Sequence, residues 1–98
     1  MNIQAMMKQA QSLQKEMLKA KEEIDKTEFV GESSLVKVTV NGKKEVLKID
    51  IEKNESLEAE DIEMLEDMLM VAINNAMKQV DDLTEQKMGK FGNLSGLF

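Results

Sequence analysis

The sequence predicts an α+β fold, two long helices around antiparallel strands, and three patterns carry that prediction. Apolar residues recur in steps of three and four through the first 26 positions. The period falls to two on both sides of an Asn-Gly pair. A helical period returns after residue 58 and persists for some thirty residues. At 98 residues the chain is one domain, spanning 1–98.

The first element is a helix over about residues 2–26. Ile3, Met6, Ala10, Leu13, Met17, Ala20 and Ile24 occupy the a and d positions of a heptad repeat, and no Gly or Pro interrupts them. Region 1–27 is therefore expected to be one helix, with Met7 and Leu18 flanking its seam.

Region 28–52 reads as strands. Glu28–Glu32, EFVGE, is a short β-prone run in which Gly31 signals a bend or bulge. LVKVTV and KKEVLKIDI flank Asn41-Gly42, the dipeptide that best tolerates the positive φ angles of a type I′ hairpin turn. A two-residue loop there pairs Val40 with Lys43 and Val36 with Leu47. That register puts Val36, Val38, Val40, Leu47, Ile49 and Ile51 on one face, with Lys37, Thr39, Lys44, Lys48 and Asp50 on the other.

A polar, acidic loop leads to a second helix over 58–88, opened by Glu58, Glu60 and Asp61 at its positive end. Its main apolar stripe is Ile62, Leu65, Leu69, Ala72, Ile73, Ala76, Met77, Val80 and Leu83. Met64, Met68 and Val71 form a second stripe. A helix apolar on two faces needs two surfaces, its own sheet and, most simply, a second protomer. Asn74-Asn75 in mid-helix either pair across such an interface or leave at least one side chain in water. Gly89 is expected to stop the helix, leaving 89–98 as a flexible Gly-rich tail.

Composition narrows the chemistry. There is no Cys and no His, so thiolate chemistry and the commonest general base are absent. With no Gly-rich phosphate loop and no Ser in a nucleophile setting, no enzyme is expected, and no cofactor. Asp81, Asp82 and Glu85 could hold Mg²⁺, but their ordinary reading is solvated helix surface. The N-terminus is too polar for a signal peptide, and no apolar run reaches a membrane span, which suggests a soluble, cytoplasmic protein. Nine Met and only three aromatic residues make a thin core of the kind often completed by a second copy.

Charge is segregated. The formal net charge is -6, yet residues 1–21 carry four lysines and one acid. Residues 52–85 carry eleven acids and two lysines. Every cation is a lysine, a mobile point charge rather than the bidentate guanidinium that reads bases. At 100° per residue Lys8, Lys15, Lys19 and Lys26 fall within about 40° of one another and span about 27 Å. The stripe suits a row of phosphates; it is also what an ordinary solvated face looks like.

Four phrases in order, MMKQAQSLQKEM, GESSLVKVTVNGKKEV, EDIEMLEDMLMVAINNAMKQ and GKFGNLSGLF, resemble the YbaB/EbfC family of small bacterial nucleoid-associated proteins over essentially the whole chain. The resemblance implies an α-β-β-β-α protomer, an antiparallel sheet flanked by two long helices, and a tweezers-like homodimer whose first helices project as arms. It implies non-enzymatic binding of duplex DNA with low sequence specificity in the nucleoid, affecting nucleoid organisation and gene expression. Recombination or replication proteins are possible further partners. Carried onto this chain, the DNA-binding residues are Lys8, Lys15, Lys19 and Lys26 on the first helix, with Lys78 and Lys87 on the second. The alternative is a dimeric protein-interaction or chaperone-like module without direct DNA binding, since helix, hairpin and helix is also the plan of a prefoldin subunit. Such a module would depend on its Met surfaces and tolerate loss of the lysines.

Overall fold

The computed structural model describes residues 2–53 and 57–92. Helix α1 spans Ile3–Lys26, strands β1, β2 and β3 span Glu28–Ser33, Val36–Asn41 and Val46–Ile51, and helix α2 spans Ile62–Met88. The sheet is antiparallel in the order β1-β2-β3, so the protomer is α-β-β-β-α.

Helix α1 begins at a cap. The Asn2 side-chain oxygen accepts from the backbone N–H of Gln4 at 3.0 Å and of Ala5 at 3.4 Å. Two of the four donors that any helix start leaves unpaired are thereby satisfied. Helix α2 starts later than the period predicted. Ala59–Asp61 form one 3₁₀ turn, and the Glu58 N–H donates to Asp61 Oδ2 at 2.8 Å.

Both hairpins differ from the expected one. The two-residue loop lies at Ser34-Leu35, where Ser33 pairs with Val36 and Ser34 takes a φ of 50°. The Asn41-Gly42 turn is longer. The Lys44 N–H donates to the Asn41 carbonyl at 3.0 Å, and Lys44, at φ 63°, is the residue in the left-handed region. This is a three-residue loop, the next commonest hairpin solution. Asn41 organises it by side chain: Oδ1 accepts from Lys43 N–H at 2.9 Å and Glu45 N–H at 3.0 Å, while Nδ2 donates to Glu45 Oε1 at 2.8 Å.

The longer loop and a bulge beyond it together move the register by four residues, to Val36–Ile51 and Val38–Ile49. An even shift leaves side chains on their expected faces. The bulge skips Leu47, so Val46 rather than Leu47 lies in the apolar row, opposite Val40.

Gly31 is neither a bend nor a bulge. Strand β1 pairs with β2 without interruption from Glu28 to Ser33. A Cβ at Gly31 would collide with the Ala72 carbonyl and come within 2.7 Å of the Ala76 backbone nitrogen. The glycine, with Ala72 and Ala76, lets α2 lie almost directly on β1. Gly42 serves a similar end, because a Cβ there would run into the Ile24 carbonyl at the close of α1.

The core sits between α2 and the first two strands. Phe29, Val36, Val38, Val40, Ala72, Ala76 and Val80 are buried together, with Leu65, Leu69, Ile73, Met77 and Leu83 packed around them. Strand β3 is different: every residue in it is exposed, including Val46, Leu47, Ile49 and Ile51. Helix α2 also leaves Ile62, Met64, Met70 and Val71 exposed. The backbone beyond Met88 does not reverse at Gly89, whose φ is -58°. It continues as a 3₁₀ turn through residue 92, buries Phe91, and first turns left-handed at Gly92. The remainder of the tail, 93–98, lies outside the described residues.

Candidate nucleic-acid interface

Helix α1 is seated on the body only by its second half. Met17 and Ile24 are 2% and 3% exposed, whereas Ile3 and Met6, on the same seam, are 71% and 52% exposed. The first half therefore projects, consistent with overall extents of 72 × 18 × 15 Å. The seam that seats α1 also decides which way its other face points. Lys8, Lys15, Lys19 and Lys26 lie about 170° around the helix from the seam, and all four are exposed. None of them forms an ion pair with a described residue.

The two lysines of α2 stand otherwise. Lys78 donates to Asp82 at 3.1 Å, one turn along its own helix. Lys87 donates to Glu23 Oε2 at 3.0 Å and so ties the end of α2 to α1. The Glu23 carboxyl titrates below its ordinary value of 4.5, first because Lys87 hydrogen-bonds it, then through the charges of Lys87 and, more weakly, Lys19. Lys19, Glu23 and Lys87 thus form one charged cluster where the arm meets the body. Lys87 joins the α1 stripe through this cluster; Lys78 does not.

One further lysine ties the sheet to α2. Lys44 pairs with Asp81 at 2.7 Å, linking the β2–β3 turn to α2. Asp81 and Asp82 are directed to different lysines, Lys44 and Lys78, and no cluster of acids among the described residues is arranged to hold a metal ion. Asn75 and Asn74 are both exposed. The Gln79 amide links Asn75 Oδ1, at 3.0 Å, to the Val30 carbonyl, at 2.8 Å, so this polar pair braces β1 against α2.

Chemically the arrangement offers anion binding by exposed ammonium groups on a capped, projecting helix. A row of point charges about 27 Å long can follow phosphates, and without guanidinium groups it lacks the usual bidentate base contact. Sequence reasoning missed the Glu23–Lys87 and Lys44–Asp81 pairs, because each joins residues distant in the chain.

Comparison with known proteins places this geometry. The family model of the YbaB/EbfC DNA-binding family matches residues 1–95. A nucleoid-associated protein of Lactococcus lactis subsp. cremoris is 46% identical over 92 residues, covering 93% of each chain. One from Ligilactobacillus salivarius is 40% identical over 99 residues, covering 99% of this chain and 95% of the other. Among solved structures, an uncharacterized protein of Helicobacter pylori superposes with a TM-score of 0.69 at 27% identity, covering 96% of this chain and 98% of that one. Full-length match, shared fold and high identity to several relatives agree: the chain is a member of the YbaB/EbfC DNA-binding family.

Proposed function

We propose that the protein is a non-enzymatic nucleoid protein that grips duplex DNA by its phosphates, with low sequence specificity, through the lysines of α1. The observation that carries this reading is the stripe Lys8, Lys15, Lys19 and Lys26, exposed on a projecting helix and unpaired with any described residue. Lys87 adds charge at the base of the arm, and Lys78, held by Asp82, contributes least. The acidic α2 disfavours DNA over the body, which leaves the arms as its place of contact. Family membership and the names of the relatives support the DNA-binding role.

The working unit is a homodimer. Val46, Ile49 and Ile51 on β3 and Met64 and Val71 on α2 expose apolar side chains that one protomer leaves uncovered, and a second copy supplies the missing cover. No helix among the described residues is long and apolar enough to cross a membrane, and the proposed site of action is the nucleoid in the cytoplasm.

The test is fluorescence anisotropy of a labelled mixed-sequence duplex at two salt concentrations. If about four phosphates are neutralised, a fourfold rise in salt lowers affinity by about 150-fold. A dimer that fails to bind even at low salt would overturn the reading and point to a protein partner.

A further inference from the structure

The free half of α1 carries a second surface, on the side away from the lysines. Ile3, Met6, Ala10 and Leu13 continue in one line with Met17 and Ile24. The last two are buried by the body, and the first three are exposed, with Leu13 only partly covered. The same seam is thus satisfied at one end and open at the other. The Asn2 cap keeps it helical to the tip.

The residues beside the open seam say what fits it. The e and g positions there are Met7, Gln9 and Gln14, all uncharged, and Glu16 closes the row. Lys8 and Lys15 take f positions, opposite the seam. A partner chosen by opposite charge would meet charged flanks, and three of these four positions are neutral. A membrane-surface helix carries lysines along its polar face and bulky aromatic or leucine residues on the other; this seam has no aromatic residue and a single leucine, Leu13. A face that is apolar at a and d, with Glu16 as the one charge at e and g, is close to complementary to itself, since two copies meet with few like charges.

We propose that the projecting halves of two α1 helices from different dimers pair seam to seam as a short coiled coil. The pair would join two dimers and turn their lysine stripes outward to opposite sides. The consequence rests on the proposed function: one assembly would hold two duplexes, bridging DNA. The free seam is about two heptads long, less than a self-sufficient coiled coil requires. Its pairing is therefore weak alone and is strengthened when several arms are gathered on one duplex.

The experiment uses the full chain and a Met6→Gln, Leu13→Gln variant, which leaves Met17 and Ile24 in place. Sedimentation velocity is run over micromolar to millimolar protein, without DNA and then with a short duplex. A second assay measures capture of free labelled duplex by bead-tethered duplex. The expected result is a dimer-to-tetramer doubling of mass for the wild type, at high concentration or on DNA. The variant should lose that doubling and the bridging while keeping single-duplex affinity within about twofold. A wild type that never exceeds the dimer, with or without DNA, overturns the proposal. A variant that still forms tetramers overturns it too, as does a seam that drives sedimentation with anionic vesicles while the protein stays dimeric. If the wild type binds no duplex, the proposed function fails, yet the mass measurements without DNA still decide the pairing.

Discussion

The two long helices are close in length and both amphipathic, yet they do opposite work. Helix α2 lies along β1 and β2 and buries Ala72, Ala76 and Val80 completely or nearly so. Both of its lysines are drawn into pairs, Lys78 with Asp82 and Lys87 with Glu23, and its Asp81 holds Lys44. Helix α1 buries only Met17 and Ile24, leaves its first half in solvent, and exposes along its whole length a stripe of four lysines that pair with no described residue. The difference teaches that amphipathic pattern sets which face of a helix is apolar, whereas the neighbour that covers the face sets what the rest of the helix is free to do. A helix committed to the core has its lysines tied to neighbouring carboxylates; a helix held at one end presents them.

The contrast breaks most severely at Gly31. Replacing it with Ala should destabilise the protein by about 3 kcal/mol or more, the upper end of overpacking costs, because the new Cβ meets α2 backbone rather than a flexible side chain. Urea unfolding checks this. Met17→Ala should cost about 2–5 kcal/mol if the residue is as tightly packed as its burial indicates. It should loosen α1 more than α2, visible as faster amide exchange confined to α1. A Met17 variant with unchanged exchange in α1 would mean that the seat of the arm lies elsewhere.

Charge reversal at Lys8 and Lys15 sharpens the contrast without touching packing. The double Glu variant should retain its melting temperature, and the slope of log affinity against log salt should shrink by about 1.8 or more. Equal loss from Lys78→Glu would show that the paired lysines of α2 contribute as much as the free ones of α1. Asn2→Ala should cost about 1 kcal/mol of local helix stability and fray the arm, seen as raised amide exchange in the first turns while global unfolding barely moves.

The smallest effect concerns the junction. Glu23 is held below its ordinary pKa by Lys87, so the pair contributes stability that is present above the unfolded-state value of 4.5 and lost as pH falls through the lower folded value. Glu23→Gln should therefore lose a little stability at neutral pH and match the wild type in acid. Because it releases Lys87 beside Lys19, it should also raise duplex affinity at low salt. Weaker binding by this variant would show that the clamp orients the arm more than it competes for charge.

Much of this was legible in the sequence because it is local. The heptad marks α1 within one residue, and period-two alternation identifies the faces of the strands except at Leu47, which the bulge displaces. The angular stripe of lysines follows from helix geometry and needs no neighbour to define it. The family was legible as well, from phrases spread along the chain. What sequence could not supply depends on contacts between distant residues. Asn-Gly suggested the tightest turn, but the side chain of Asn41 holds a longer loop, and Ser34-Leu35 makes the tight one. Gly31 read as a bend or bulge because the sequence does not show the helix lying against it. The α-helix ends at Met88 with Gly89 as its cap, as expected, but the cap stays right-handed and the backbone continues as a 3₁₀ turn that buries Phe91.

Sequence alone thus determined periodicity, face and charge, which are properties of one segment at a time. Tertiary structure alone decided which half of α1 is covered, which lysines are neutralised and which glycines stand beneath a neighbour. The reason is physical: helix and strand patterns repeat along the chain, whereas burial and ion pairing depend on residues brought together across it.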